Sequence, residues 1–459
     1  MDIVLRLDPA LPRRRAVETA LRRGIALGHL PVDSRIPAAR DLALELGVAR
    51  GTVTAAIDDL VADGVLVTRE RAGTFVARAP GPADAVMPAP PTRPARWDLR
   101  PGRPESGAFP VARWVAATRR AAATGGAEAQ ADDDGRGSLA LRTQLASYLA
   151  RARGVEAAPE SIVVCAGYRS GMTVLAAALR GTGASAVAIE DPGLPSVDAA
   201  WGASGMRVTD LPVDGSGARV DLLDASIDIA LLTPAHQFPL GVVLSAERRR
   251  EVLQWAASSR SLVVEDDYDG EFRFDRRPVA ALQRSAPDRV AYVGSVSKAL
   301  DIHLRLGWMA LPPDLIEPVA AMTLALTGGV PLLDQLALAE LLRRGDYERH
   351  VRRQRREYAR RRRLLEEAVG RRGSTLSGIP AGMQALVQLP DRKYDEVDGA
   401  VDAGGTSIHL LSRYTRSTER PPAAVVGFAT PSRSRFEPAV EAFAQWLRGV
   451  DQRPGSSSP

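Results

Sequence analysis

Of the 60 basic residues in this 459-residue chain, only two are lysines, Lys298 and Lys393. Where arginine has replaced lysine almost throughout, a surviving lysine marks a place where the amine itself is needed, because a guanidinium cannot act as a neutral nucleophile at ordinary pH. Lys393, in the polar stretch Asp391-Arg392-Lys393-Tyr394, reads as a surface residue. Lys298 stands in Gly294-Ser295-Val296-Ser297-Lys298-Ala299-Leu300, with Arg305 a short way downstream. An amine among small hydroxyls and a guanidinium suits a phosphorylated carbonyl compound: Lys298 forms a Schiff base, while Ser295, Ser297 and Arg305 hold the phosphate. Upstream, the apolar run Leu262-Val263-Val264 delivers Glu265-Asp266-Asp267-Tyr268-Asp269. A carboxylate at the C-terminal end of a parallel strand faces the crevice where open α/β sheets bind ligands. From there Asp266 can pair with a pyridinium nitrogen, and Tyr268 can hydrogen-bond a ring oxygen.

The elements that must position these groups are legible as short apolar runs spaced by helix-length amphipathic segments. Ile162-Cys165, Ala186-Ile189, Ile229-Leu232, Leu262-Val264 and Val290-Val293 are predicted strands, and the alternation from residue 97 to 450 predicts a mainly parallel sheet with helices on both faces. Residues 10–77 predict a separate unit of three helices (Ala16-Ile25, Ala39-Leu46, Gly51-Leu60) and a hairpin (Val65-Thr68 with Gly73-Ala77). Between them residues 78–96 hold six prolines, a composition for a semi-extended linker, and residues 451–459 read as a disordered tail. No run approaches the roughly 18 to 20 apolar residues of a membrane span, and the start lacks a signal-peptide pattern, which predicts a cytoplasmic protein. The single cysteine, Cys165, lies in an apolar run and reads as a buried thiol; no Cys/His cluster suggests a metal. The net charge of +5 and pI near 9.6 permit a polyanionic partner without requiring one. The most basic stretch, Arg343 to Arg372, carries 13 arginines against five acids and reads as the solvated face of a long helix.

In Ile36-Pro37-Ala38-Ala39-Arg40-Asp41-Leu42-Ala43, proline opens a helix, and in Leu46-Gly47-Val48-Ala49-Arg50-Gly51-Thr52-Val53 glycine turns tightly into a second. With helix-turn-helix spacing, the second helix would enter the major groove of double-stranded DNA. That places Arg50, Gly51, Thr52 and Thr54 at the DNA, with Arg40 reaching a phosphate. The segment resembles the GntR superfamily of winged-helix regulators, with Gly73-Thr74-Phe75-Val76 in the wing. Two positions depart from the family pattern: Ala39 and Ala49 stand where serines are usual, and the second change removes the cap of the recognition helix.

The larger part of the chain is similar to the aminotransferase-like domain of MocR-type regulators, a GntR subfamily. The likeness runs through Asp98-Leu99-Arg100-Pro101-Gly102, Asp134-Gly135-Arg136-Gly137, Glu190-Asp191-Pro192-Gly193, Thr233-Pro234-Ala235-His236-Gln237-Phe238-Pro239 and the lysine and aspartate motifs. The resemblance implies a winged helix-turn-helix followed by an α/β fold-type I aminotransferase-like domain with a smaller C-terminal α+β subdomain, binding pyridoxal 5′-phosphate (PLP) and forming a homodimer. By the same likeness Lys298 is the internal-aldimine lysine, Asp266 and Tyr268 contact the ring nitrogen and ring hydroxyl, and the backbone near Gly167, Tyr168 and Arg169 joins Ser295, Ser297 and Arg305 at the phosphate. Arg413 falls where the family grips an amino acid's carboxylate, and the implied effector is an amino acid or amine. Asp132, Leu194 and Ile302-His303 replace residues that the family uses around the cofactor. Three functions follow: a regulator sensing PLP or a PLP-amine aldimine with residual or no transaminase activity, a regulator that no longer uses PLP, and a true aminotransferase.

Overall fold

The computed structural model describes residues 7–9, 11–26, 29–70, 72–77, 96–105, 107–124, 134–274, 279–371, 373–389 and 406–451. Asp132, Lys393, the stretch 78–95 and the tail from 452 onward lie outside these residues. The chain forms two compact units divided between Pro94 and Ala95.

The first unit consists of α1 (Arg13–Ala26), α2 (Ala39–Leu46), α3 (Arg50–Ala62) and an antiparallel hairpin, β1 (Leu66–Arg69) with β2 (Gly73–Val76). Apolar residues recurring at helical spacing close one small core from Val17, Leu21, Leu42, Val53, Ile57 and Leu60, capped by Leu66 and Val76 of the hairpin. Gly47 ends α2 in the left-handed conformation (φ 64°), the tight turn into α3. Pro37 does not open α2: Ala38 occupies the N-cap, so the proline lies just outside the helix.

The second unit is built on an eight-stranded sheet in the order β4-β11-β10-β9-β8-β5-β6-β7. The short strand β3 (Trp97–Asp98) and helices α4 (Val111–Thr124) and α5 (Leu139–Arg153) precede it in the chain. The five predicted strands are β4 (Ile162–Cys165), β5 (Ala186–Asp191), β8 (Ile229–Leu232), β9 (Leu262–Asp266) and β10 (Val290–Ser295). Four of these are wholly buried and β9 nearly so, the expected state of apolar strands covered on both faces. Two further strands are β6 (Arg207–Asp214) and β11 (Gly307–Ala310), the latter antiparallel to both its neighbours; β7 (Gly217–Ala218) ends the sheet. Helices α6 (Gly167–Gly181), α7 (Pro195–Ala203) and α9 (Pro313–Thr327) pack on one face through Val163, Ile189, Val264 and Val293. α8 (Ala246–Ser259) and α10 (Leu332–Arg343), with α5, supply other apolar surfaces.

The long helix α11 (Asp346–Gly370) leads to a smaller antiparallel sheet, β12 (Leu376–Ser377), β13 (Gln384–Gln388), β16 (Ala423–Gly427) and β15 (His409–Leu410), and to α12 (Arg433–Asp451). β14 (Thr406–Ser407) pairs in parallel with β3, tying the start of this unit to its C-terminal part. Asp451 thus closes a helix rather than opening the predicted tail. The reading of Arg343–Arg372 as a solvated face needs correction too. Arg352, Arg356 and Arg363 are exposed, but Arg361 and Arg362 are buried. Arg361 pairs with Glu357 and Glu105, donates to the carbonyls of Ala429 and Pro431, and lies over the Phe436 ring. A helix running between the two parts of the unit buries one side of its arginines, and only hydrogen-bonded partners make that tolerable.

Candidate functional site

The C-terminal ends of β9 and β10 lie side by side, Asp266 opposite Val293, because the strands are parallel neighbours. Parallel strands deliver their outgoing loops to one edge, and there the chain encloses a cavity of about 710 Å³. Lys298, Asp266, Tyr268, Ser295, Ser297, Arg305, Tyr168, Arg169 and Arg413 all line it. Gly167 stands just behind this lining as the first residue of α6, with φ 80°. A Cβ there would meet the Arg305 backbone at 3.3 Å, so a glycine lets the α6 N-terminus close on the arginine loop. Arg305 itself has φ 51°, a strained conformation for a side chain of its size.

Lys298 donates from Nζ to the Gly102 carbonyl at 2.6 Å, and burial holds its pKa below the usual lysine value. The loop that carries it is pinned by α11: His350 Nε2 meets the Ala299 carbonyl at 2.7 Å, while Arg353 lies 3.0 Å from Nδ1. A carbonyl accepts and a guanidinium donates, so His350 is neutral with its proton on Nε2. Burial, which lowers the His350 pKa, acts in the same direction.

Asp266 is buried, and one of its oxygens, Oδ1, has no hydrogen-bond partner. Burial pushes its carboxyl up to about 8, against a hydrogen bond from Tyr168 that lowers it. Behind it, Tyr268 is held by Gln384 Nε2 at 2.8 Å and lies 3.0 Å from His236 Nδ1, which in turn meets Asp269 at 2.8 Å. Burial keeps the Tyr268 hydroxyl protonated far above its ordinary range, so it remains a donor. Thr233 and Gln237 donate to Glu190, another cavity carboxyl, which burial raises to about 7.

Arg413 enters from the turn after β15, where Tyr414 packs edge-on against Phe238 at 4.9 Å and bonds His409 Nδ1. Burial, aided by Arg413 and Arg100, lowers His409 to about 4 and leaves it neutral. The nearby Arg416 contrasts with it, paired with Asp198 and Asp210 and bonded to the carbonyls of Ile189 and Glu190. Gln384 and His350 were missed from sequence, since only long-range packing brings them here; His236 and Asp269 appeared only inside quoted motifs, and Arg103 directly follows one.

In the first unit, Arg40 and Arg50 are exposed near the starts of α2 and α3, and neither has an ion pair among the described residues. Gly51 and Thr54 are exposed and Thr52 is half-buried; the Thr54 hydroxyl bonds back to the Arg50 carbonyl. Three other arginines of this unit are paired, Arg14 with Asp59, Arg22 with Glu18 and Asp63, and Arg69 with Asp33. Ala49 caps α3 with no side-chain hydrogen bond.

A winged helix-turn-helix unit followed by a doubly covered sheet with a lysine at its carboxyl edge defines the class, and comparison with known proteins gives the family. Residues 13–76 match the bacterial regulatory proteins of the gntR family, and residues 102–407 match aminotransferase class I and II. The chain is 32% identical to the probable rhizopine catabolism regulatory protein MocR of Rhizobium meliloti, over 93% of this chain and 92% of that protein. It is 31% identical to the HTH-type pyridoxine biosynthesis transcriptional regulator PdxR of Corynebacterium glutamicum, over 94% and 95%. Among solved structures, an archaeal alanine:glyoxylate aminotransferase superposes with a TM-score of 0.70 at 22% identity, over 77% of this chain and 91% of that one. A Pyrococcus horikoshii kynurenine aminotransferase, solved in complex with PMP, does so at 0.70 and 20% identity, over 79% and 93%. The chain belongs to the MocR-type subfamily of gntR regulators, a gntR helix-turn-helix domain fused to an aminotransferase class I and II domain. No helix among the described residues is long and apolar enough to cross a membrane.

Proposed function

We propose that this protein is a DNA-binding transcription regulator that acts in the cytoplasm as a homodimer and whose second unit binds PLP, alone or together with an amino-group ligand. The observation that carries the reading is Asp266: a buried carboxyl with an unpartnered oxygen, in the same cavity as a buried lysine amine. The residues present fit the cofactor. A ring nitrogen would give Asp266 Oδ1 the partner it lacks, Tyr268 would donate to the ring oxygen, and Lys298 would meet the carbonyl. Ser295, Ser297, Arg305 and the amides opening α6 would hold the phosphate. When bound, PLP supplies an electron sink; the protein supplies position and charge.

Sustained transamination needs a firmer hold than capture does, since a misplacement of about 1 Å can cost about a hundredfold in rate. Leu194 lines the cavity where related enzymes present an aromatic ring, so we read the unit as a sensor with negligible turnover. Ligand binding would then bias DNA binding through differential affinity for two states. Arg50, unpaired and exposed at the start of α3, is the proposed base-reading residue, with Gly51, Thr52 and Thr54 beside it and Arg40 at a phosphate.

The test is operator selection from random DNA, followed by affinity with and without PLP at fixed salt, beside an assay of amino transfer to 2-oxoglutarate and pyruvate. The expected result is a PLP-dependent affinity and, for Arg50→Ala, a loss of roughly 1 to 3 kcal/mol in specific binding. Ordinary aminotransferase turnover with no selectable operator would overturn the regulator reading.

A further inference from the structure

Between β3 and α4 the stretch Pro101-Gly102-Arg103-Pro104 runs between two anchors. At its start the Arg100 carbonyl accepts from the Thr430 hydroxyl at 2.7 Å, and the Leu99 carbonyl from the Gly427 amide at 2.7 Å. At its end the Glu105 amide donates to the Tyr358 hydroxyl at 3.1 Å, and the Glu105 carboxylate pairs with Arg361. Between the anchors, Pro101 and Pro104 have no N–H to give, and Gly102 takes the left-handed region (φ 92°). Among the described residues this stretch makes one hydrogen bond, at the Gly102 carbonyl, which accepts from Lys298 Nζ at 2.6 Å. It is a strap fastened at a single point, and the fastener is the amine with which the cavity would capture an aldehyde. The strap also borders two spaces. Pro101, Gly102 and Arg103 line the large cavity, while Arg103 and Pro104 line a cleft of about 360 Å³ that reaches Arg96 and Trp97 at the start of the second unit.

A free amine can hold the strap and still react. Burial keeps the Lys298 pKa below the usual lysine value, which favours the neutral form, with two hydrogens to donate and a lone pair to attack. Condensation with an aldehyde changes that count. The nitrogen bonds the aldehyde carbon, the carbonyl oxygen leaves as water with both amine hydrogens, and a C=N bond remains. No oxidant or reductant takes part. The nitrogen then has no hydrogen for the Gly102 carbonyl; if protonated it has one, which the ring oxygen of PLP next to that carbon claims.

We propose that the 101–104 strap senses the state of the Lys298 amine: fastened while the amine is free, released when it condenses with PLP, and still fastened when a ligand with the same ring and phosphate brings no aldehyde. The protein thereby tells the aldehyde form of the cofactor from its amine form, through a local loosening at the start of the second unit. This rests on the cavity being a PLP site, and the experiment separates the two. Hydrogen–deuterium exchange of the full-length protein is read in peptides covering residues 99–105, for the protein alone, with PLP, and saturated with pyridoxamine 5′-phosphate, with visible absorbance recorded in parallel. PLP should speed exchange of the Glu105 amide about tenfold, as expected for the loss of one hydrogen bond to an amine, and the pyridoxamine form should leave it unchanged. Lys298→Met, which has no donor, should exchange fast with no ligand at all. Lys298→Arg, which keeps donors but forms no C=N bond with an aldehyde, should stay slow with PLP present. Exchange that PLP leaves unchanged in protein showing the visible band, exchange sped equally by both forms, or slow exchange in ligand-free Lys298→Met overturns the proposal while leaving the cofactor reading intact. Absence of a visible band with added PLP overturns both.

Discussion

The long helix α11 and the cavity at the carboxyl edge of the large sheet use the same residue type in opposite ways. On α11, Arg361 is wholly buried and surrounded by Glu357, Glu105, two carbonyls and an aromatic face. In the cavity lining, Arg103, Arg169, Arg305 and Arg413 are exposed and have no ionic partner among the described residues. A buried guanidinium needs partners supplied by the protein, whereas one that faces water in a cavity stays available to a ligand. The same distinction separates Arg416 from Arg413 three residues away, and it extends to Asp266, whose orphan oxygen is the anionic counterpart.

The largest effect should come from the cavity's amine. Lys298→Ala should abolish PLP that borohydride can fix to the protein, read as loss of a covalent mass increase. A variant that still gains the mass, or a wild-type protein that never does, would move the attachment site elsewhere and break the contrast at its centre.

The next test sets the two classes of arginine against each other by stability. Arg361→Met leaves Glu105 and Glu357 facing an apolar side chain, and removing one partner of a buried ion pair costs roughly 3 to 5 kcal/mol. Arg413→Gln removes nothing that the protein itself uses, so the unfolding midpoint in urea should stay within about 0.5 kcal/mol of the wild type. Similar losses in both would show that the cavity arginines are structural after all.

What the sequence showed of this contrast depended on how local the signal was. Ile162–Cys165 and Ile229–Leu232 were readable to the residue, because strands buried on both faces are continuous apolar runs. β6 was not, since polar Arg207, Thr209 and Asp210 and the proline Pro212 interrupt its apolar residues, and β11 was hidden because Gly307-Trp308-Met309-Ala310 opens on glycine and holds no β-branched side chain. Lys298, Asp266 and Tyr268 could be named because their spacing along two strand ends is a property of the chain alone. The grip of His350 on the lysine loop and of Gln384 on Tyr268 spans 51 and 116 residues, and no local pattern encodes it. Counting charge along Arg343–Arg372 pointed to a surface, and packing turned part of it inward.

A smaller effect is expected at Asp266. In the unfolded chain its carboxyl ionises near about 3.9, but in the empty cavity burial raises it to about 8. Between those values the folded protein holds a proton that the unfolded chain has released. The native state binds more protons, so this group's contribution to stability declines as pH rises and is fully lost above about 8. Asp266→Asn removes the ionisation. Without PLP the variant should be the more stable of the two above pH 8, with the difference shrinking toward pH 4. Glu190, Glu265 and Glu271, each raised to about 7, slope the same way in both proteins and cancel in the comparison. Parallel stability profiles would mean that the carboxyl is already ionised and paired.

The smallest effect tests the contrast in the other unit. Helix α3 begins at Arg50 behind Ala49, whose backbone is extended (ψ 141°) like that of an ordinary N-cap but whose side chain can accept nothing. The first N–H groups of a helix need acceptors, and a serine at this position supplies one for the N2 or N3 amide. Ala49→Ser should therefore stabilise the full chain's first unfolding transition by about 1 kcal/mol, measured in urea by a probe placed in the winged-helix unit. The Thr52 amide already donates to the Ala49 carbonyl at 2.9 Å, so the donors that would resemble the cavity arginines are the earlier amides, on the surface that presents Arg50 and Gly51. If the serine adds no stability, those amides are adequately met by solvent, and the likeness between α3 and the cavity does not extend beyond the unpaired arginine itself.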